Sequence, residues 1–489
     1  MKMNRRECKT MPQTIIQNIK KVPVNILAGI YIILNPLIDI ITSIQTRYTA
    51  APISVGAILR PILIISIIAY TVICISPKNR KKLLIYISIA LIYLSTMLFY
   101  YYNKYGWGLF ITQLSGAVKT FNFPIVLITF YVLNLEKKVH IDYRYFITTL
   151  VMYSLAIILP MAFGISEKTY DIGNNAGYIG LFFAGNDISI AIVLLFIVLF
   201  AQMHESYKNN MLIISILVLI PGLFVIMMIG TKTPFLGVIG LLIIILLGFI
   251  YRLIFGIQRN DYKLLIITMS TTLILFISFG YTAIGQNMGL YNFGMKLPQN
   301  DDLEDKPQYN VLSGRDIYKG QNLEDYKSAN IFEKIIGLGY LRDEPYEEPI
   351  LETEENNMQE VSHSPILQSE DAPIGQYTVR KLCEMDFWDI LVNHGIIGFV
   401  IFFIPLAVYF IKYIQVTIKK GFKKVNLTNI ILTYAVLLTV IISYLSGHTF
   451  VSPSVSTVVI MVFILALNKM IENDEVKYIN VKTKNIKDK

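Results

Sequence analysis

The chain reads as an all-α polytopic membrane protein with about 12 transmembrane helices and one large extracytoplasmic loop between helices 9 and 10. Hydrophobic residues make up 54% of its 489 positions and charged residues only 16%, a balance too apolar for a soluble globule. Apolar runs near 20 residues recur, each long enough to cross a hydrocarbon layer roughly 30 Å thick as a helix. Lys and Arg concentrate in alternate connections, as they do in a bundle threaded repeatedly through a bilayer.

Taken in order, a basic segment, 1–23, with Arg5, Arg6, Lys9, Lys20 and Lys21, precedes the first span. That span is long and has no small-residue cleavage site, so it reads as a retained helix rather than a signal peptide. Length and flanking polarity place nine spans within 24–284, at 24–44, 53–75, 83–101, 112–133, 146–165, 186–203, 211–229, 235–251 and 264–284. The hydrophilic loop, 285–392, follows. Three further spans, 393–414, 427–445 and 452–471, fill 393–471, and a lysine-rich tail covers 472–489.

With a cytoplasmic N-terminus, roughly 28 of the 43 Lys and Arg fall inside, while the short outer loops hold about four: Arg47, Lys104, Lys168 and Lys232. An even number of spans returns both termini to the cytoplasm of a cell-membrane protein and leaves the large loop outside. The net charge of +9 is then no sign of nucleic-acid binding, because the basic residues face anionic membrane lipid. The loop is the reverse, with roughly 21 of the 34 acidic residues against about nine basic ones. Cys8 and Cys74 read as cytoplasmic and Cys383 as outside, which leaves no intrachain disulfide. No Cys/His cluster has metal-ligand spacing, so neither metal nor cofactor is expected.

Several polar groups stand where lipid would reject them. An Arg at the centre of a span costs about 2.5–3.5 kcal/mol on insertion scales, so such residues face a cavity, a partner or the interface. Arg60, about two turns inside the second span, either snorkels outward, pairs with Asp39 of Asn35-Pro36-Leu37-Ile38-Asp39, or meets an anionic ligand. Lys119 lies at a similar depth in the fourth span, and two cations on one side suit a shared anion, although Lys too can snorkel. The glycine-rich stretch Gly177–Asp187 is expected to be re-entrant, with Asn186 either capping the next helix or touching a ligand. Gly230-Thr231-Lys232-Thr233-Pro234 holds Lys232 beside a helix N-terminus starting at Pro234, which reads as a phosphate cradle or as an interfacial anchor.

In the loop, 286–312 is polar and irregular, and its Asp301–Asp305 run is a weak metal-nucleotide likeness. Residues 313–340 read as helical, with an amphipathic turn at Ile331, Phe332, Ile335 and Ile336 stopped by Gly337. Arg315 offers a rigid fork for phosphate or carboxylate near the start of this region. The acidic stretch 343–373, with His363, reads as an insertion without chemistry of its own. Before span ten, Glu384-Met385-Asp386-Phe387-Trp388-Asp389 sets carboxylates among aromatic residues, as helix-dipole partners or with Glu384 or Asp386 as a general base. His448, in the last outer turn, is either a substrate contact or a structural hydrogen-bonding residue.

These pieces together resemble the O-antigen ligase and Wzy-type polysaccharide polymerase superfamily. The likeness rests on Gly177–Asn186, Gly230-Thr231-Lys232-Thr233, Ser313-Gly314-Arg315 ahead of Gly337-Leu338-Gly339, and the acidic-aromatic lead into Gly395-Ile396-Ile397-Gly398. It implies a fold like the C-type glycosyltransferases and a membrane glycosyltransferase that takes glycans from an undecaprenyl-diphosphate donor. It also implies a flippase and a polysaccharide chain-length regulator as partners. Ligases typically carry His-Asn where Glu384 stands and Arg where Lys232 stands. That departure favours polymerisation of a capsule-like or teichuronic-type wall polymer over ligation to a lipid core. On this reading Arg315, Lys232, Arg60 and Lys119 hold the diphosphate, Glu384 or Asp386 is the base of an inverting, metal-independent displacement, and Asn186 and His448 touch substrate. A lipid-linked oligosaccharide flippase and a non-catalytic wall-assembly scaffold are the rival readings.

Overall fold

The computed structural model describes residues 24–49, 54–170, 176–206, 209–288, 315–342, 378–445 and 447–487. The basic N-terminal segment with Cys8, the Asp301–Asp305 run, Ser313-Gly314 and the acidic stretch with His363 lie outside the described residues. Among the described residues nine long helices come first: α1 (Val24–Tyr48), α2 (Val55–Cys74), α3 (Pro77–Tyr105), α4 (Trp107–Leu135), α5 (Tyr143–Ala162), α6 (Gly185–Glu205), α7 (Asn209–Met228), α8 (Lys232–Phe255) and α9 (Arg259–Ser278). Short α10 (Ala283–Asn287) follows, then α11 (Arg315–Ser328) and α12 (Ile331–Ile336), and finally α13 (Asp386–Lys420), α14 (Leu427–Leu445) and α15 (Pro453–Lys487). Among the described residues twelve helices are long and apolar enough to span a bilayer, and the chain is a multi-pass, all-α membrane protein.

Several helices outrun the hydropathy that announces them. Helix α3 opens at Pro77 rather than 83, with proline in its first turn where no N–H is needed. Helix α13 opens at Asp386 rather than 393, and α15 continues to Lys487, because polar turns extend a helix without adding to its apolar run. The stretch 167–180 also departs from a simple re-entrant loop. β1 (Glu167–Lys168) and β2 (Tyr178–Gly180) pair antiparallel ahead of α6. Asn186 is not the cap of α6, since the cap position is Ala184.

Helix α6 is apolar on every side and buried from Ile188 to Met203, so it forms the axis of the bundle. It packs on α5, α7, α8, α14 and α15, whose Val455–Leu467 face is equally buried. α2 and α9 lie at the periphery and expose Ile62, Ile65, Ile266 and Phe276.

Helix α13 is two helical segments joined at Gly395, which is non-helical at φ 61° and ψ −171°. Such a break strips nearby carbonyls of their helical partners, a costly state where no water enters. The connection between α9 and α13 repairs it. Leu338 N–H donates to the Val392 carbonyl at 2.8 Å, and Gly339 N–H donates to that of Asn393 at 3.0 Å. The Tyr93 hydroxyl lies 2.7 Å from the His394 carbonyl, and the Tyr101 hydroxyl donates to the Gly337 carbonyl. Tyr340 completes the junction: its N–H reaches Gln113 Oε1 at 2.9 Å, and its hydroxyl meets Thr120 Oγ1 at 2.6 Å and His394 Nε2 at 2.7 Å. A short pairing of β3 (Leu341–Arg342) with β4 (Thr378–Val379) closes the connection, and Asp325 of α11 bonds both Arg342 and Arg380 beside it.

The approach is so close that a Cβ on Gly395 would lie 2.4 Å from the Gly337 nitrogen. Gly395→Ala is therefore expected to destabilise the protein by about 2–4 kcal/mol. The loss should appear as a lower melting temperature in detergent and less monodisperse protein on size-exclusion chromatography.

Candidate functional site

The β4–α13 connection brings Glu384 against two other segments. Arg315, the first residue of α11, donates to Glu384 Oε2 from Nη2 at 2.6 Å and from Nε at 3.0 Å. Asn186, in the first turn of α6, donates Nδ2 to the same oxygen at 3.2 Å. Glu384 Oε1 takes none of these bonds. The Glu384 side chain is 35% exposed and that of Arg315 15%, so the carboxylate is held yet still reachable.

Asp386 behaves differently. Fully buried, it accepts the backbone N–H groups of Thr449 and Phe450 on Oδ2, both at 2.8 Å, and thereby ties the α14–α15 turn to α13. Its Oδ1 has no hydrogen-bond partner among the described residues. Asp389 sits one turn on, and its carboxylate takes the N–H of Cys383 at 2.9 Å and of Met385 at 3.2 Å. Cys383 and Cys74 are both free thiols, and burial followed by the nearby Asp389 charge pushes the Cys383 thiol well above its ordinary pKa.

The turn held by Asp386 carries His448. Burial alone would lower its pKa, but the charges of Asp187, Asp389, Asp386 and Glu384 together raise it. Asp187, beside Asn186, accepts a 2.5 Å bond from the Ser452 hydroxyl. Ser454, two residues on, donates to Asp39 Oδ1 at 2.7 Å, and Tyr153 donates to the other oxygen of Asp39 at 3.3 Å. Arg60 forms an ion pair with that same Asp39 and is largely buried, so of its sequence-based readings the structural pair is the one observed. A chain of polar contacts thus runs through α1, α2, α5, α6, α13 and α15 at one end of the bundle.

Lys119 and Lys232, the remaining predicted cations, make no contact with Arg315 or Glu384 among the described residues. Lys119 is exposed on α4 with Arg60 as its charged neighbour. Lys232 is exposed at the first position of α8, which begins there rather than at Pro234. Neither forms an ion pair among the described residues. The Lys232 turn is nevertheless stitched to its surroundings, since Asn287 Nδ2 donates to the Gly230 carbonyl at 2.8 Å and to that of Ala176 at 2.7 Å. Tyr170 bridges toward Arg315: its hydroxyl lies 3.5 Å from the Gly230 carbonyl and it feels the Arg315 charge.

Sequence reasoning passed over Asp187, Asp389, Ser452 and Ser454. Asp187 had a visible signal, a carboxylate at the start of a wholly apolar helix, whereas the two serines had none. The ring of His394, in α13, is occupied by Tyr340 and Tyr93. Among the described residues no group of three or more His, Cys, Asp or Glu is arranged to hold a metal ion.

Because the folded pKa of His448 is raised, the stability it adds is complete below about pH 6.5 and fades as pH climbs through the folded value. The wild type is therefore expected to lose melting temperature as pH rises above about 6.5, and His448→Gln to flatten that slope. Parallel slopes in the two proteins would show that the imidazole carries no such charge.

A family model described as "O-antigen ligase like membrane protein" matches residues 24–297 and 373–472. No curated protein matches the chain.

Proposed function

The chain belongs to the O-antigen ligase like membrane protein family, and from that membership we propose that it polymerises undecaprenyl-diphosphate-linked oligosaccharide repeat units at the outer face of the cell membrane. The family supports the coarser statement, a membrane enzyme that ligates or polymerises lipid-linked glycans. One observation carries the finer one. Arg315, Glu384 and Asn186, from three separate segments, meet on a single carboxylate oxygen.

In this reading the positive-inside distribution of Lys and Arg sets both termini in the cytoplasm and the α9–α13 connection outside. The donor sugar carries a lipid diphosphate on its anomeric carbon. Arg315 and Lys232 receive that diphosphate, each at the start of a helix whose free N–H groups favour an anion. Arg60 is already neutralised by Asp39, and Lys119 is its charged neighbour on α4. A diphosphate that takes Arg315 releases Glu384. The freed carboxylate accepts the proton of the acceptor hydroxyl as its oxygen attacks the anomeric carbon, and the carbon–oxygen bond to the diphosphate breaks with inversion. Of the two candidate bases Glu384 is preferred, because Asp386 is fully buried and occupied by the 449–450 backbone. A capsule or wall polysaccharide is the assigned product, with a flippase supplying the donor and a chain-length regulator limiting the polymer.

Purified protein incubated with lipid-linked repeat units tests this directly. Longer chains support polymerase activity, while leaflet transfer without extension, or no reaction, removes it. Arg315→Ala is expected to cost at least about 10²-fold in rate, with Arg315→Lys recovering only a minor part because the planar fork is lost. Glu384→Gln is expected to cost about 10²–10⁴-fold, read as polymer formed per unit time by protein of normal melting temperature.

A further inference from the structure

Glu384 stands in a backbone conformation that its residue type resists. Its φ of 54° lies in the left-handed region, which a non-glycine residue keeps only when its surroundings hold it there. The holding group is Asp389. Its Oδ1 accepts the N–H of Cys383 at 2.9 Å and its Oδ2 the N–H of Met385 at 3.2 Å, so one carboxylate clasps the residues on both sides of Glu384. The Cys383 thiol adds a 3.1 Å contact to Oδ1. Asp389 is 4% exposed and fixed in the first turn of α13, where its own N–H bonds the Met385 carbonyl at 3.0 Å.

An ordinary helix cap would not need both oxygens on residues that precede the helix. Both bonds require acceptors, which an ionised Asp supplies twice and an Asn only once. We propose that Asp389 is a positioning residue. It locks the left-handed turn at Glu384 and so directs that side chain onto Arg315 and Asn186. Asp389 itself touches no reacting atom. This rests on the reading of Glu384 as the base, and the two are separable by experiment.

Thermal unfolding of the detergent-purified full chain tests the clasp without reference to activity. Glu384→Ala and Glu384→Gly both delete the carboxylate and differ in their tolerance of a left-handed turn. With Asp389 present, the Gly variant is expected to melt above the Ala variant. In an Asp389→Asn background that gap is expected to close, and an equal gap in both backgrounds would overturn the proposal. Where Asp389→Asn fails to fold, Asp389→Ser, which leaves a single acceptor oxygen, replaces it with the same expectation.

A rate cycle tests the functional half. Asp389→Asn is expected to lower kcat for transfer from the lipid-linked donor by about tenfold or more, with KM within about twofold, and to add nothing in a Glu384→Gln background. Additive losses would overturn the positioning role. Full turnover in Glu384→Gln alone would remove the base instead, and the melting comparison would still decide the clasp.

Discussion

The whole arrangement depends on backbone hydrogen bonding across a broken helix. Interrupting α13 at Gly395 leaves carbonyls that lipid cannot satisfy, and Gly337-Leu338-Gly339 satisfies them from outside the helix. The bundle and the described parts of the connection, 315–342 and 378–385, are therefore packed as one unit. The connection fills a vacancy that the tenth span creates, and the tyrosines of α3 together with Gln113 and Thr120 of α4 secure it from the other side. Glycine is needed at Gly337 and Gly395 because both carry positive φ and each backbone occupies the space a side chain would need.

With that junction in place, four acidic residues take four different tasks. Glu384 is partly exposed and faces Arg315, while Asp386 holds the turn before α15. Asp389 holds the backbone around Glu384, and Asp187 receives Ser452. Identical carboxylates are sorted by which N–H or O–H groups reach them and by how much water remains. His448, lying among them, offsets part of their mutual repulsion.

Hydropathy makes the span count legible because a helix crossing lipid must be apolar over a fixed length. The ends were less legible. The first turns of α13 are polar and aromatic and add nothing to an apolar window, yet they contain Asp386 and Asp389. Of the amphipathic turn read at Ile331, Phe332, Ile335 and Ile336, only Ile336 is buried while Ile331 and Phe332 are exposed, and Asn330 divides that region into two helices by capping α12. Arg315 and Glu384 stood out separately, but they are 69 positions apart, and no periodicity relates residues whose meeting is decided by a docking event elsewhere. The Asp39–Arg60 pair was within reach of sequence because both were charges in adjacent spans. Ser454, which donates to Asp39, was not, since a serine at a helix start is unremarkable.

The pairing of β3 with β4 has a consequence for how such a chain can diversify. Leu341 opposite Val379 and Arg342 opposite Thr378 bring the chain's departure and return to neighbouring positions. A change of length between them enters at a single seam, beside and not within the residues that grip the two halves of the tenth span.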